Sequence, residues 1–133
     1  MTHLETELKQ LKSELISMWA LVSSQMKKSF EALVNNDKEL ASEVVITEKR
    51  INAFELKLDR DCENIIALYT PVAVDLRFVL AVLKINSNLE RIGDIARSIA
   101  KFVKKSPEIY SQEILEKTRL EMRPADMERL THQ

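Results

Sequence analysis

The sequence predicts an all-α fold: an up-down-up bundle of three long antiparallel helices, followed by a short C-terminal helix or tail. Three observations predict it. Glycine occurs once and proline three times in 133 residues, too few for the turns of a β protein. Apolar residues recur at three- and four-residue intervals along three stretches of nearly equal length, the spacing of amphipathic helices. The breaks between these stretches are short and carry helix-stop residues, which makes consecutive helices run antiparallel.

The first helix is expected over 3–35. Leu4, Leu8, Leu11, Leu15, Met18, Val22, Met26 and Leu33 form its stripe, with a polar gap at Ser29. Trp19, beside Met18, reads as a packing anchor. Asn35-Asn36-Asp37 ends the helix. Asn36 or Asp37 can cap the next one, and Glu39, three after Asn36, suggests a capping box. The second helix, expected over 37–69, carries Val44, Ile51, Phe54, Leu58, Ile65 and Leu68. It stops at Tyr69-Thr70-Pro71, where Thr70 is expected to cap a third helix with Pro71 at its first position. That helix, over 71–105, carries Val72, Leu76, Val79, Leu80, Leu83, Leu89, Ile92, Ala96, Ile99 and Val103. Arg97, Lys101, Lys104 and Lys105 crowd its last turns, either as a basic binding patch or as cations at the negative end of the helix dipole. Residues 1–105 thus form the bundle. Residues 106–133 are a polar extension in which Ile109, Ile114, Leu115, Leu120 and Met122 are candidates for a short helix before Pro124.

Composition narrows the function classes. The net charge is −1 and aromatics make up 5%, so neither phosphate attraction nor base stacking favours a nucleic-acid partner. Cys62 is alone, which removes disulfides and cysteine-based zinc sites and fits a reducing cytoplasm. It reads as a core thiol. No run is apolar enough for a signal peptide or a membrane span. His3 and His132 stand near the two ends, so histidine catalysis inside the bundle is not expected, nor is a Gly-rich phosphate loop or a Glu-x-x-His di-iron pattern.

What remains is carboxylates. Acid pairs four apart occur at 39/43, 55/59, 59/63 and 90/94, a frequency near chance, so a solvated acidic face is the plain reading. The segment NLERIGDIARSIA, residues 88–100, nevertheless stands out. Glu90 and Asp94 stack on one face, where like charges repel, and Gly93, the single glycine, lies between them. In an antiparallel pair turning at Thr70, positions summing to about 140 lie level. Glu90 is then level with Arg50 and Asp94 with Ile46, and Glu48 and Asn52 fall at the same height. Glu55 and Asp59 lie one to two turns further along a similar face. Oxygen donors of this kind suit hard cations such as Mg²⁺ or Mn²⁺, and also iron. Gly93 would permit a close helix approach.

EKRINAFELKLD (48–59), YTPVAVDLR (69–77) and LKINSNLERIGDIA (83–96) resemble, in order and spacing, one repeat of the PhoU family. The resemblance covers about residues 5–105. It implies an all-α, non-enzymatic bacterial regulator, with two similar three-helix bundles per chain. Such regulators are cytoplasmic and act at the inner face of the membrane. The implied partners are components of the phosphate ABC transporter and a sensor histidine kinase, and the implied role is repression of the phosphate-starvation response. It also implies acidic metal motifs on Glu48 to Asn52 and on Glu90 to Asp94. By their position Glu55 and Asp59 form a second tier, and the candidate cation is Fe, Mn, Zn or Mg. Position 52 is Asn where the motif has Asp, a weaker ligand. Residues 107–133 are too few for a second bundle, so two chains are expected to pair as a homodimer. Two rival classes remain: a plain helical dimerisation or scaffold module, and a metal-dependent hydrolase, for which no nucleophile or base stands beside the acids.

Overall fold

The computed structural model describes residues 2–106. They form three α-helices, α1 (His3–Asn35), α2 (Lys38–Tyr69) and α3 (Ala73–Lys105). Each is about 50 Å long at ~1.5 Å per residue. Every helix packs on both others, so the up-down-up bundle is as the periodicity predicts. The short C-terminal helix expected from Ile109 to Met122 lies outside the described residues.

The connections differ in detail from expectation. Asn36 closes α1 in the left-handed region at φ 50°, which Asn tolerates better than most residues. The Asp37 amide donates back to the Ala32 carbonyl at 2.9 Å. Asp37 alone caps α2, accepting from the Leu40 amide at 3.0 Å. Glu39 is therefore one position too early for a capping box and serves as a first-turn acid instead. Thr70 does not cap α3. It closes α2 in the left-handed region at φ 44°, a strained place for a β-branched residue. Pro71 disfavours right-handed helix at the residue before it, so the helical run must break at Thr70. Pro71 and Val72 bridge outside both helices, and α3 starts at Ala73 with no side-chain cap.

The core has two parts. A wide one combines Leu11, Met18, Val22, Ile51, Leu58, Cys62, Ile65, Val79, Val82 and Leu89. A narrow one, at the end where α1 turns into α2, is built from Ala32, Ala41, Val44, Ala96, Ala100 and Val103. Between them sits Gly93. A Cβ there would lie 3.3 Å from two side-chain carbons of Ile51, tighter than an ordinary contact. The glycine therefore serves the close approach of α3 to α2, and that approach offsets its cost of about 1 kcal/mol relative to Ala.

Several stripe positions are corrected. Ser29 is fully buried, its hydroxyl donating to the Met26 carbonyl, and Gln25 is buried with its amide donating to the Val44 carbonyl at 2.7 Å. These bonds satisfy the groups that made the positions look like surface. Leu33, Leu68, Val72 and Leu80 are exposed instead. Trp19, read as an anchor, is 57% exposed: it lies one residue past Met18, about 100° further round the helix, at the seam with α3. Cys62 is a core thiol as expected, fully buried beside the Val79 carbonyl. Burial pushes it up to about 12, which makes it unreactive.

Candidate functional site

The acidic residues singled out by the sequence lie along the α2–α3 seam. Helices α2 and α3 are offset by about one turn from the level expected for a pair turning at Thr70. Gly93 faces Ile51, Arg97 pairs with Glu48, and Asn86 bonds Asp59, so level positions sum to a few more than 140. The shift arises because Thr70, Pro71 and Val72 belong to neither helix. It moves Glu90 away from Arg50 and toward Glu55. Glu90 and Asp94 still interact with Glu48, as the stacking of the two motifs suggested, and Glu55 and Asp59 join them. Asn52, one turn beyond Glu48 on α2, is exposed.

Arg97 reorganises this cluster. Its Nη1 lies 2.9 Å from Glu48 Oε1, and its Nη2 lies 3.7 Å from Asp94 Oδ1. Glu48 is buried. Burial raises its carboxyl above the usual range, Arg97 pulls it back down, and the neighbouring Asp94 carboxylate adds to the rise. One turn along, Glu90 is pushed up to about 7. A hydrogen bond to Asp94 that only its protonated form can make is the largest cause, followed by burial and the negative charges of Asp94, Glu55 and Glu48. Glu55 is also raised, first by burial, then by Asp59 and Asp94. The Asn86 amide spans the far side of the cluster, donating to the Glu55 carbonyl and to Asp59 Oδ1, each at 3.0 Å. Its own Oδ1 and the Arg97 Nε are buried without a hydrogen-bond partner among the described residues.

Arg97 and Asn86 are site residues that the acid spacing alone does not indicate. A signal was present: Asn86, Glu90, Asp94 and Arg97 step by four, four and three along one face of α3. The helix-dipole reading of Arg97 was incomplete, because its main partner is on α2. Chemically, the cluster offers hard oxygen donors that suit a divalent cation. In the arrangement seen, a guanidinium holds two of them. Among the described residues no three His, Cys, Asp or Glu side chains are gathered to hold a metal ion.

The pH response of the cluster has a definite sign. The folded chain binds the Glu90 proton more tightly than the unfolded chain does. This group's contribution to stability is therefore complete below 4.5 and is lost as pH rises through about 7. Glu90 is only half-buried, so the gain is of order 1 kcal/mol after solvent screening. Urea unfolding is expected to show greater stability at about pH 5.5 than at about pH 8, and the Glu90→Gln chain is expected to lose most of that difference. Equal slopes for both chains would place the pH dependence elsewhere.

No described helix is long and apolar enough to cross a membrane. Residues 15–103 match the family model of the PhoU domain. The phosphate-specific transport system accessory protein PhoU of Serratia marcescens is 40% identical over 95 residues, covering 71% of this chain and 39% of that protein. The PhoU homolog of Aquifex aeolicus is 43% identical over 94 residues, covering 71% and 42%. The homolog of Archaeoglobus fulgidus is 35% identical over 109 residues, covering 82% and 55%. The chain thus spans about two fifths to just over half the length of these relatives. The matched residues take in nearly all of the bundle, the Glu48–Arg97–Asp94 cluster and the Gly93 crossing, and the chain therefore belongs to the PhoU domain family.

Proposed function

We infer that this chain is a regulatory adaptor in phosphate transport, restraining uptake and the starvation response through protein–protein contacts. The observation that supports this reading is the match of residues 15–103 to the PhoU domain, with relatives named as accessory proteins of the phosphate-specific transport system. Its partners on this reading are transporter components and a sensor kinase, met in the cytoplasm at the inner membrane face, and it performs no catalysis. Two copies pairing would supply a second bundle; light scattering at micromolar concentration that read only monomer would remove that part. The direct test uses a bacterial strain lacking its own full-length relative and carrying a phosphate-starvation reporter. Expression of this chain in phosphate-rich medium is expected to lower the reporter. An unchanged reporter, with the chain present and folded, would overturn the adaptor reading.

The acid cluster is the second component of the proposal. Glu48, Asn52, Glu90 and Asp94 are its candidate ligands for a divalent or transition metal, with Glu55 and Asp59 behind them. A cation there would compete with Arg97 for Glu48 and Asp94. Elemental analysis of the chain and of a Glu90→Gln/Asp94→Asn variant decides this. Stoichiometric metal in the first alone supports the site. No metal in either leaves a helical scaffold whose acids serve the ion pair only.

A further inference from the structure

The face opposite α2 has a different chemistry from the acid cluster. Along the seam of α1 and α3 run two adjoining cavities of about 550 and 500 Å³. Trp19 lines both. Met26, Ile85 and Ile92 line the first, and Phe78 the second. Trp19 is more than half exposed and Ile92 over a third, so this is an open apolar groove on the surface of the bundle.

Its edges are basic. Lys12 lines the second cavity. Lys27 follows Met26 on α1, one step further out. On α3, Arg77, Lys84 and Arg91 recur at intervals of seven, each one residue before the groove residues Phe78, Ile85 and Ile92. A seven-residue interval is nearly two full turns, so these cations share one line along the helix. All five are exposed, and none pairs with a carboxylate among the described residues. The mid-helix acids point away: Glu14 reaches Lys57 on α2, and Glu90 and Asp94 belong to the α2–α3 cluster. The edges of the groove thus carry cations that no ion pair neutralises among the described residues.

We propose that the α1–α3 groove is a docking site for an acidic amphipathic helix of a partner protein. An apolar trough between two parallel walls accepts a helix with anchors at i, i+3, i+4 and i+7. The basic edges select one whose flanks carry Asp and Glu, and reject a basic one. A second copy of this chain using the same face would set basic edge against basic edge. A flat anionic bilayer would meet the edges but not fill the trough. The proposal deepens the adaptor reading and rests on it, yet the two fail separately. A groove that binds nothing leaves the reporter result standing, and a silent reporter leaves the binding result standing.

Trp19 is the sole tryptophan, so its emission reports on the groove. The probe is a helical peptide of about 20 residues with Leu at the anchor spacing and Glu elsewhere. Its twin carries Lys in place of Glu. Titrated into the full chain, the acidic peptide is expected to shift Trp19 emission to the blue and saturate, at least about tenfold more tightly than the twin. In a Lys84→Glu/Arg91→Glu variant, shown folded by circular dichroism, the preference is expected to reverse toward the Lys peptide. Equal response to both peptides would overturn the proposal. So would a shift produced by phosphatidylglycerol vesicles but by neither peptide, which would give the groove to lipid. Emission that reddens on dilution of the free chain would give it to a second copy. Emission of a buried indole at every dilution would give it to residues 107–133, and both of those results also overturn it.

Discussion

Replacing Leu58 by Ala is expected to cost about 2–5 kcal/mol. Leu58 is fully buried at the centre of the wide core, on the α2 stripe between Ile51 and Ile65, in one cluster with Met18 of α1 and Val79 and Val82 of α3. Loss of three carbons there removes contacts with all sides, and stiff neighbours such as Ile51 and Val79 limit collapse into the space. For a fold of this size each kcal/mol shifts the thermal midpoint by about 4–8 °C, so the midpoint should fall by roughly 10 °C or more. Two controls separate packing from helix propensity. Leu58→Met, close in volume, should cost less than about 1.5 kcal/mol. Leu56→Ala, two residues away but 65% exposed, should change stability by less than about 0.5 kcal/mol. Comparable losses at positions 56 and 58 in urea unfolding would mean that α2 does not present this face to the core.

Arg97→Ala is expected to destabilise the fold by about 1–3 kcal/mol near pH 8. Breaking a buried ion pair by removing one partner costs about 3–5 kcal/mol. The Arg97 side chain is 35% exposed while that of Glu48 is 9% exposed, so water screens the pair and lowers the figure. The loss comes mainly from what is left behind: a buried Glu48 beside Asp94 with no cation. That residue then rises further, since Arg97 is the main influence lowering it. Protonation removes the buried charge, so the defect should shrink as pH falls toward 5. Glu48→Gln in the Arg97→Ala background should recover most of the loss at pH 8, because both charges are then gone. If the double variant is no more stable than Arg97→Ala at pH 8, the interaction is not a pair.

The helices and their order were legible because a repeating apolar stripe reports burial directly, and Asn36-Asp37 and Thr70-Pro71 mark stops that backbone sterics enforce. The finer assignments failed for identifiable reasons. Each helix of a three-helix bundle touches two neighbours, so its apolar surface is wider than one stripe, and Trp19 falls at the outer edge of that surface. Ser29 and Gln25 hide in the core because a local hydrogen bond to Met26 and one across to Val44 of α2 satisfy them, which hydrophobicity alone does not encode. The cluster of Glu48, Glu90 and Asp94 was legible from spacing, and Gly93 correctly flagged a close crossing. Arg97 was less so, because its partner depends on a helix offset of one turn, set by how many residues the Thr70–Val72 link withholds from the helices.

The narrow core has a dynamic consequence. Its alanines and valines bury much less apolar area per turn than the leucines, isoleucines and methionine of the wide core, so that end is held with less free energy. Sub-global opening should begin there, at the α1–α2 turn and the last turns of α3, while the segment around Ile51–Ile65 and Val79–Leu89 stays closed until the whole bundle unfolds. Amide hydrogen exchange would then show a gradient along the bundle axis, with Ala41 and Ala100 less protected than Leu58 and Val82. The bundle behaves as a clasp hinged at its wide end, and Gly93 marks the line where the loose part meets the firm one.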